Sequence, residues 1–213
     1  MAQKIAVIDY GMGNLRSVSK AVERVADDAE GRVTDDPGFI ANADRVVFPG
    51  QGAARECMAA IGKRRLNQAV LGAADKKPFL GICMGLQVLM GHSEENEGTV
   101  LLGLLSGDVR RFDGLAVGDN GLPLKVPHMG WSPVGQQGSH ALWQGIPDHS
   151  RFYFVHSYRV IPDDVSLIAA TADYGVRFTA AVARDNLFAT QFHPEKSAGV
   201  GLRLLEHFVN WSV

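Results

Sequence analysis

KKPFLGICMGLQVLM, residues 76–90, decides how this chain is read. A short apolar run of strand character leads into Cys83, which is flanked by Gly81 and Gly85, and a second apolar run of helical character follows. G-x-C-x-G between a strand and a helix is the thiol counterpart of the G-x-S-x-G elbow, a sharp turn that lifts its central side chain out at the carboxyl end of a sheet. A cysteine there also sits at a helix N-terminus, whose positive end favours thiolate over thiol. The competing reading is a core filler, because free cysteine is among the most frequently buried residue types. Cys57 provides the contrast. In AARECMAAIG (residues 53–62) it falls mid-helix among alanines and beside Met58, and is read as core.

Outward from the elbow, the first half alternates apolar strand-like runs with amphipathic stretches of helical period, the pattern of βαβ units around a parallel sheet. KIAVIDY (4–10) is the first strand. NLRSVSKAVERVADDA (14–29) puts Leu15, Val18, Val22 and Val25 on one helical face, with Asn14 as N-cap and Gly31 just past the end. ADRVVFPG (43–50) and the segment before Cys83 are two further strands, nearly continuous in apolar character, as expected of strands covered on both faces. About one helix pair lies between them. From residue 106 the texture changes to short segments, GDVRRF, FYFVHSYRV, SLIAAT, FTAAVA and LFATQF, separated by Gly, Pro, Asn and Asp. This half reads as antiparallel or mixed. SAGVGLRLLEHFVNW (197–211) closes the chain with Val200, Leu204, Leu205, Phe208 and Trp211 at helical spacing. No linker, repeat or low-complexity segment interrupts residues 1–213, which are expected to form one α/β domain with a mixed, mainly parallel sheet flanked by helices and an antiparallel portion in the C-terminal half.

Composition narrows the functions. With 213 residues, 46% of them hydrophobic, the chain is large enough to bury a full core without disulfides. Its two cysteines form no CxxC, and MAQKIAVIDYGMGN carries no secretory leader, so a reducing, cytoplasmic setting is expected and a zinc ribbon is not. Apolar stretches such as TVLLGLLSG are too short to span a bilayer. Twenty-one basic against 23 acidic residues, without blocks of like charge, give no footprint for nucleic acid. No metal and no cofactor is expected.

A nucleophilic cysteine needs a histidine as proton shuttle and a third group to orient it. Of seven histidines, His207 belongs to the apolar spacing of the last helix, while His92, His140 and His149 sit in polar, turn-like stretches. His193 differs. In ATQFHPEKS (189–197) the following proline biases it to an extended conformation, so His193 and Glu195 share a face and the carboxylate can fix the imidazole tautomer that meets Cys83. Acyl transfer also needs backbone donors for the oxyanion. The elbow supplies the N–H of Met84, and FPGQGAA (48–54) can turn a second donor, from Gln51 or Gly52, toward the site. Its alternative is an ordinary turn.

FPGQG, GICMGLQ and FHPEKS, in this order and across the whole chain, resemble the three signatures of the class I (triad) glutamine amidotransferases. The resemblance implies a flavodoxin-like mixed sheet flanked by helices, hydrolysis of the glutamine side-chain amide to glutamate and ammonia, and Cys83, His193 and Glu195 as the triad. Within that family IDYGMGNLRSV (8–18), VPHMGW (126–131) and FYFVHSY (152–158) look like the glutaminase-subunit branch of the imidazole glycerol phosphate synthases. That branch implies a heterodimer with a (β/α)₈-barrel cyclase in histidine biosynthesis. Ammonia is passed through the barrel to the nucleotide PRFAR, giving imidazole glycerol phosphate and AICAR. It further implies Asn14, Arg16, Trp131, Tyr153 and Lys196 at or near the partner interface, and Gly50, Gly52, Gln87, Ser157 and Tyr158 around the glutamine. Gln87 lies one helical turn beyond Cys83 and can face the same pocket, or simply be a polar residue on a helix face. Trp131 and Tyr153 are equally readable as core aromatics.

Three features depart from the family pattern: Gln51 where a small aliphatic residue is usual, Ser132 where asparagine usually follows Trp131, and a segment HSEENEGTVLLGLL (92–105) with fewer glycines than a lid-like role leads one to expect. Rival readings remain. GMGN fails the dinucleotide fingerprint because Arg16 stands at its third glycine position. A cysteine protease or γ-glutamyl hydrolase would use the same Cys-His pair, and a non-catalytic reactive-thiol α/β protein would share the elbow. The glutaminase of the pyridoxal phosphate synthase also serves a barrel, but lacks the resemblance at DYGMGN and PHMGW.

Overall fold

The computed structural model describes residues 3–26, 29–112, 117–118 and 121–213. Strand β1 (Gln3–Ile8) shows why its apolar run is unbroken. Ile5 and Val7 enter one hydrophobic core and Ala6 and Ile8 the other, because successive side chains of a strand point to opposite faces and here both faces are covered. Helix α1 (Leu15–Val25) lays Val18 and Val22 on the first of these cores, with Leu15 and Val25 half-buried beside them. Full burial of each such side chain contributes about 1.5–3 kcal/mol. Asn14 caps this helix, its Oδ1 accepting from the Ser17 N–H at 3.4 Å.

The expected stop at Gly31 is not where the helix ends. Gly31 lies inside β2 (Ala29–Thr34), paired in parallel with Ile5, and α1 already finishes at Val25. The mixed polarity of AEGRVT, an edge strand, hides it from periodicity. Helix α2 (Pro37–Asn42) leads to β3 (Arg45–Gly50), and the helix pair α3 (Ala54–Lys63) and α4 (Asn67–Lys76) leads to β4 (Phe79–Cys83). After β4 comes α5 (Met84–Gln87), a single turn of four residues.

The second half contributes β5 (His92–Ser93), β6 (Thr99–Val100), β7 (Gly107–Arg111), β8 (His128–Pro133), β9 (Gly135–Gln136), β10 (Arg151–His156), β11 (Tyr158–Pro162), β12 (Ile168–Asp173), β13 (Arg177–Arg184), β14 (Leu187–Thr190) and the closing helix α6 (Ala198–Asn210). The main sheet runs β2-β1-β3-β4-β14-β13-β12-β9, parallel from β2 to β14 and antiparallel from β14 to β9. The mixed sheet expected from the sequence is therefore present, with β14 as the C-terminal segment that joins the parallel half. FYFVHSYRV, read as one strand, is two. It breaks at Ser157, sending β10 to pair with β8 and β11 to join β7, β5 and β6. Among the described residues no helix is long and apolar enough to cross a membrane.

Candidate active site

Cys83 ends β4 at φ 55° and ψ −105°, a conformation that costs a non-glycine residue roughly 1–3 kcal/mol and persists only where surrounding packing enforces it. The flanking glycines supply that packing. A Cβ on Gly85 would run into the Phe48 carbonyl oxygen, and one on Gly81 would stand 2.9 Å from the Ala189 Cβ and 3.1 Å from the Gly85 carbonyl. The turn after Cys83 is thus pressed against β3 and β14. Because α5 has only four residues, the dipole expected of a full helix reduces to the unpaired N–H groups of one turn, the Met84 N–H among them.

His193 follows β14 in the extended conformation its proline predicts, at φ −101° and ψ 98°. Glu195 is not extended. It occupies a one-turn 3-10 segment, Pro194–Lys196, and reaches back so that His193 Nδ1–H donates to its Oε1 at 2.8 Å. Both side chains are almost completely enclosed, at 2% and 1% exposure, so this hydrogen bond is not competed for by solvent. The loop is pinned to β10: His193 N–H donates to the Tyr153 carbonyl at 2.9 Å, Tyr153 N–H to Ser197 Oγ at 3.0 Å, and Ser197 Oγ–H to the His193 carbonyl at 2.6 Å. His193 Nε2 is buried with no hydrogen-bond partner, and His193 and Cys83 line one cavity. Burial lowers the pKa of His193, but the negative charges of Cys83 as thiolate and of Glu195 outweigh it and push it up to about 10.

The cavity, about 390 Å³, also takes in Gln51, Gly52, Met84, Gln87, Ser157 and Tyr158. Gly50 does not line it. The Tyr10 hydroxyl and the Met84 side chain fill the space a Cβ at Gly50 would need, so only glycine fits there. Gln87 faces inward as its spacing predicts. Its Nε2 donates to the Tyr158 carbonyl at 3.2 Å and to Gln191 Oε1 at 3.1 Å, and Gln191 Nε2 approaches Cys83 Sγ at 3.7 Å.

A family model described as glutamine amidotransferase class-I matches residues 6–211, nearly the whole chain. The chain belongs to the class I glutamine amidotransferases. Two curated relatives named imidazole glycerol phosphate synthase subunit HisH match it over almost their full length: one from Aromatoleum aromaticum is 58% identical over 98% of both chains, and one from Thiobacillus denitrificans is 59% identical over all of this chain and 93% of its own. Among solved structures, PurLQS from Thermotoga maritima superposes with a TM-score of 0.72 over 99% of each chain at 17% identity. A protein from Thermoplasma acidophilum described as a GMP synthase subunit superposes at 0.69, with 22% identity, over 99% of this chain and 94% of its own. These two likenesses concern the fold.

Several groups of this amidotransferase escaped the sequence reading. Gln191 stands two residues before His193 in ATQFHPEKS, and its one signal was polarity inside an apolar strand end. Glu95 lines the cavity while its Oε2 accepts from the Ala54 N–H at the start of α3, at 2.7 Å. It belongs to the segment 92–105, whose Leu101 and Leu105 are buried, their N–H groups donating to the Gly91 and Leu89 carbonyls. Cys57 is buried as expected, and burial pushes its thiol up to about 11. It is more than filler, because its Sγ lies 3.4 Å from the Gln51 carbonyl and holds that peptide on the α3 side.

Of the residues assigned to an interface, three meet. Trp131 on β8 pairs across to Tyr153 on β10 with ring centroids 6.0 Å apart, and Lys196 Nζ stands 6.0 Å from the Tyr153 ring. Strand β8 is inverted in polarity, with His128 and Ser132 turned in and Met129 and Trp131 turned out at 64% and 42% exposure. Arg16 is exposed on the first turn of α1, and Asn14 borders a second, much smaller cavity with Gly50, Gln51, His193 and Glu195. Among the described residues no three metal-ligating side chains converge.

Proposed function

We infer that this chain is the glutaminase subunit of an imidazole glycerol phosphate synthase, releasing ammonia from glutamine for a (β/α)₈-barrel cyclase partner. The observation that carries the reading is the strained Cys83 beside a buried His193 whose Nδ1–H is held by Glu195. The Cys83 thiolate attacks the glutamine Cδ, forming a C–S bond and a tetrahedral oxyanion. The Met84 N–H and an N–H of the Gln51–Gly52 loop receive that oxyanion. His193 gives its proton to the departing nitrogen, the C–N bond breaks and ammonia leaves. Water then adds to the γ-glutamyl thioester with His193 taking its proton, the C–S bond breaks, and glutamate leaves as the Cys83 thiolate is restored beside protonated His193. Gly52, Gln87, Ser157 and Tyr158 hold the amino-acid end of the substrate, and Glu95 supplies a carboxylate for its ammonium.

The outward Met129 and Trp131, backed by Tyr153 and Lys196 next to the triad loop, form the docking face for the cyclase, and Asn14 and Arg16 extend it. An exposed tryptophan and methionine on a strand whose inner face is polar fit the aromatic anchors typical of interface centres. A subunit serving such a partner works in the cytoplasm and turns over slowly until partner and nucleotide bind, a coupling free energy between two sites.

The test is ammonia release from glutamine by the chain alone, then with a histidine-pathway cyclase and its nucleotide ligand. Strong activation is expected, with Cys83→Ala abolishing turnover while docking persists. Full activity alone would indicate a constitutive glutaminase. Silence in both conditions, with Cys83 still alkylatable, would favour the reactive-thiol reading.

A further inference from the structure

Two histidines that the triad does not use lie end to end beside the cavity. His156 Nδ1 stands 2.8 Å from the Tyr158 carbonyl, His156 Nε2 3.0 Å from His128 Nδ1, and His128 Nε2 2.9 Å from Ser132 Oγ. The Tyr158 carbonyl can only accept, so His156 Nδ1 carries the proton and its Nε2 is the acceptor. His128 Nδ1 must then donate, leaving His128 Nε2 to accept from the Ser132 hydroxyl. One orientation satisfies every atom with both rings neutral. Their surroundings agree: His128 and His156 are 2% and 5% exposed, and His128 lies stacked between Phe154 and Tyr174 at 4.9 and 4.0 Å. Burial lowers the pKa values of the two rings to about 4 and about 3.

At its inner end the chain meets the site. The Tyr158 carbonyl that takes His156 Nδ1–H also takes Gln87 Nε2, which reaches Gln191 and, through it, Cys83 Sγ. At its outer end Ser132 is the residue after the exposed Trp131. We propose that Ser132, His128 and His156 are positioning residues, a neutral relay that fixes the Tyr158 carbonyl and the Gln87–Gln191 pair and so sets the glutamine-binding wall of the cavity from strand β8. The proposal rests on glutamine being the occupant of that cavity.

Ser132→Ala in the full chain tests it, because the change removes one hydroxyl and leaves a buried imidazole nitrogen unpaired. Histidine side-chain ¹⁵N spectra of the unmodified protein should show protonated Nδ1 on both rings. The glutamine concentration that half-protects Cys83 from iodoacetamide should rise about fivefold to thirtyfold in Ser132→Ala, on the scale of one lost buried hydrogen bond. Ser132→Thr, which keeps the hydroxyl, should return it to within about twofold. Protonated Nε2 on either ring overturns the relay. Unchanged half-protection in Ser132→Ala, with or without a lower melting temperature, overturns the positioning role alone, whereas no protection by glutamine in the unmodified protein overturns the occupancy and the relay's role with it.

Discussion

Replacing Glu195 with glutamine removes a charge but not the group. Glu195 Oε1 accepts from His193 Nδ1–H at 2.8 Å, while Oε2, buried, has no hydrogen-bond partner. The amide can therefore set its carbonyl on Nδ1–H and its NH₂ where Oε2 stands, and the tautomer that turns Nε2 to Cys83 survives. What is lost is the charge assistance. Hydrogen bonds to charged groups contribute about 1.5–3 kcal/mol against about 0.5–1.5 for neutral ones, so Glu195→Gln should cost about 1–2 kcal/mol of transition-state stabilisation, or roughly fivefold to thirtyfold in kcat/KM. A flipped amide, with NH₂ against Nδ1, would force the wrong tautomer and a loss nearer 10⁴-fold. The assay is glutamate release across pH by the cyclase-activated complex. His193 has a folded pKa raised from 6.5 to about 10, so the stability it contributes is complete below pH 6.5 and is lost as pH rises toward 10. Without the carboxylate that pKa falls, so the alkaline limb of kcat/KM should move to lower pH. A loss below about threefold with an unmoved limb would show that Glu195 neither orients nor charges His193, and a loss near 10⁴-fold would refute the argument from the unpaired oxygen.

Cys83→Gly should abolish turnover yet melt about 2–6 °C above Cys83→Ala, since φ 55° with ψ −105° is the mirror of an ordinary extended conformation and open to glycine; equal melting temperatures would mean that no strain is stored there. The neutral His128 and His156 make the fold acid-labile. Their folded pKa values are lowered, so their contribution is complete above pH 6.5 and falls by about 1.4 kcal/mol per histidine for each pH unit below it, and chemical denaturation at pH 7 and pH 5 reads the difference. Trp131→Ala should weaken docking of the cyclase by about 2 kcal/mol or more without changing the rate at which iodoacetamide modifies Cys83 in the free chain; unchanged affinity in titration calorimetry would place the interface elsewhere.

The parallel half of the fold was legible because burial on both faces leaves its mark in residues 5–8 of β1 and along the whole of β3 and β4. Strand β2 was not, since an edge strand of mixed polarity carries no period. Nor was β8, whose inward residues are His128 and Ser132 and whose outward ones are Met129 and Trp131, the reverse of the pattern that marks a half-buried strand. The triad was legible from local chemistry, the elbow around Cys83 and the proline that extends His193. Gln191 and Glu95 were not. Their roles depend on which segments the fold brings beside Cys83, a long-range fact with no local spacing to betray it.

That long-range fact has a simple origin in the sheet. Gly50 is the register partner of Cys83 across β3 and β4, and Thr190 is the partner of Ile82 across β14 and β4, so three parallel strands end at one level. Parallel strands release their chains at the same edge, which is why ligand sites in open α/β sheets form at the carboxyl ends. The chain leaving β3 becomes the Gln51–Gly52 loop, the chain leaving β4 becomes the elbow, and the chain leaving β14 becomes the His193–Glu195 turn. β14 enters the sheet parallel to β4 but antiparallel to β13, and only that reversal delivers His193 to the edge where Cys83 emerges. Had β14 run antiparallel to β4, its carboxyl end would lie at the far side of the sheet, one strand length from the thiol. For a strand of four residues at about 3.3 Å each that is about 13 Å, several times the reach of a hydrogen bond. The switch from parallel to antiparallel pairing at β14 is thus the topological condition for the triad.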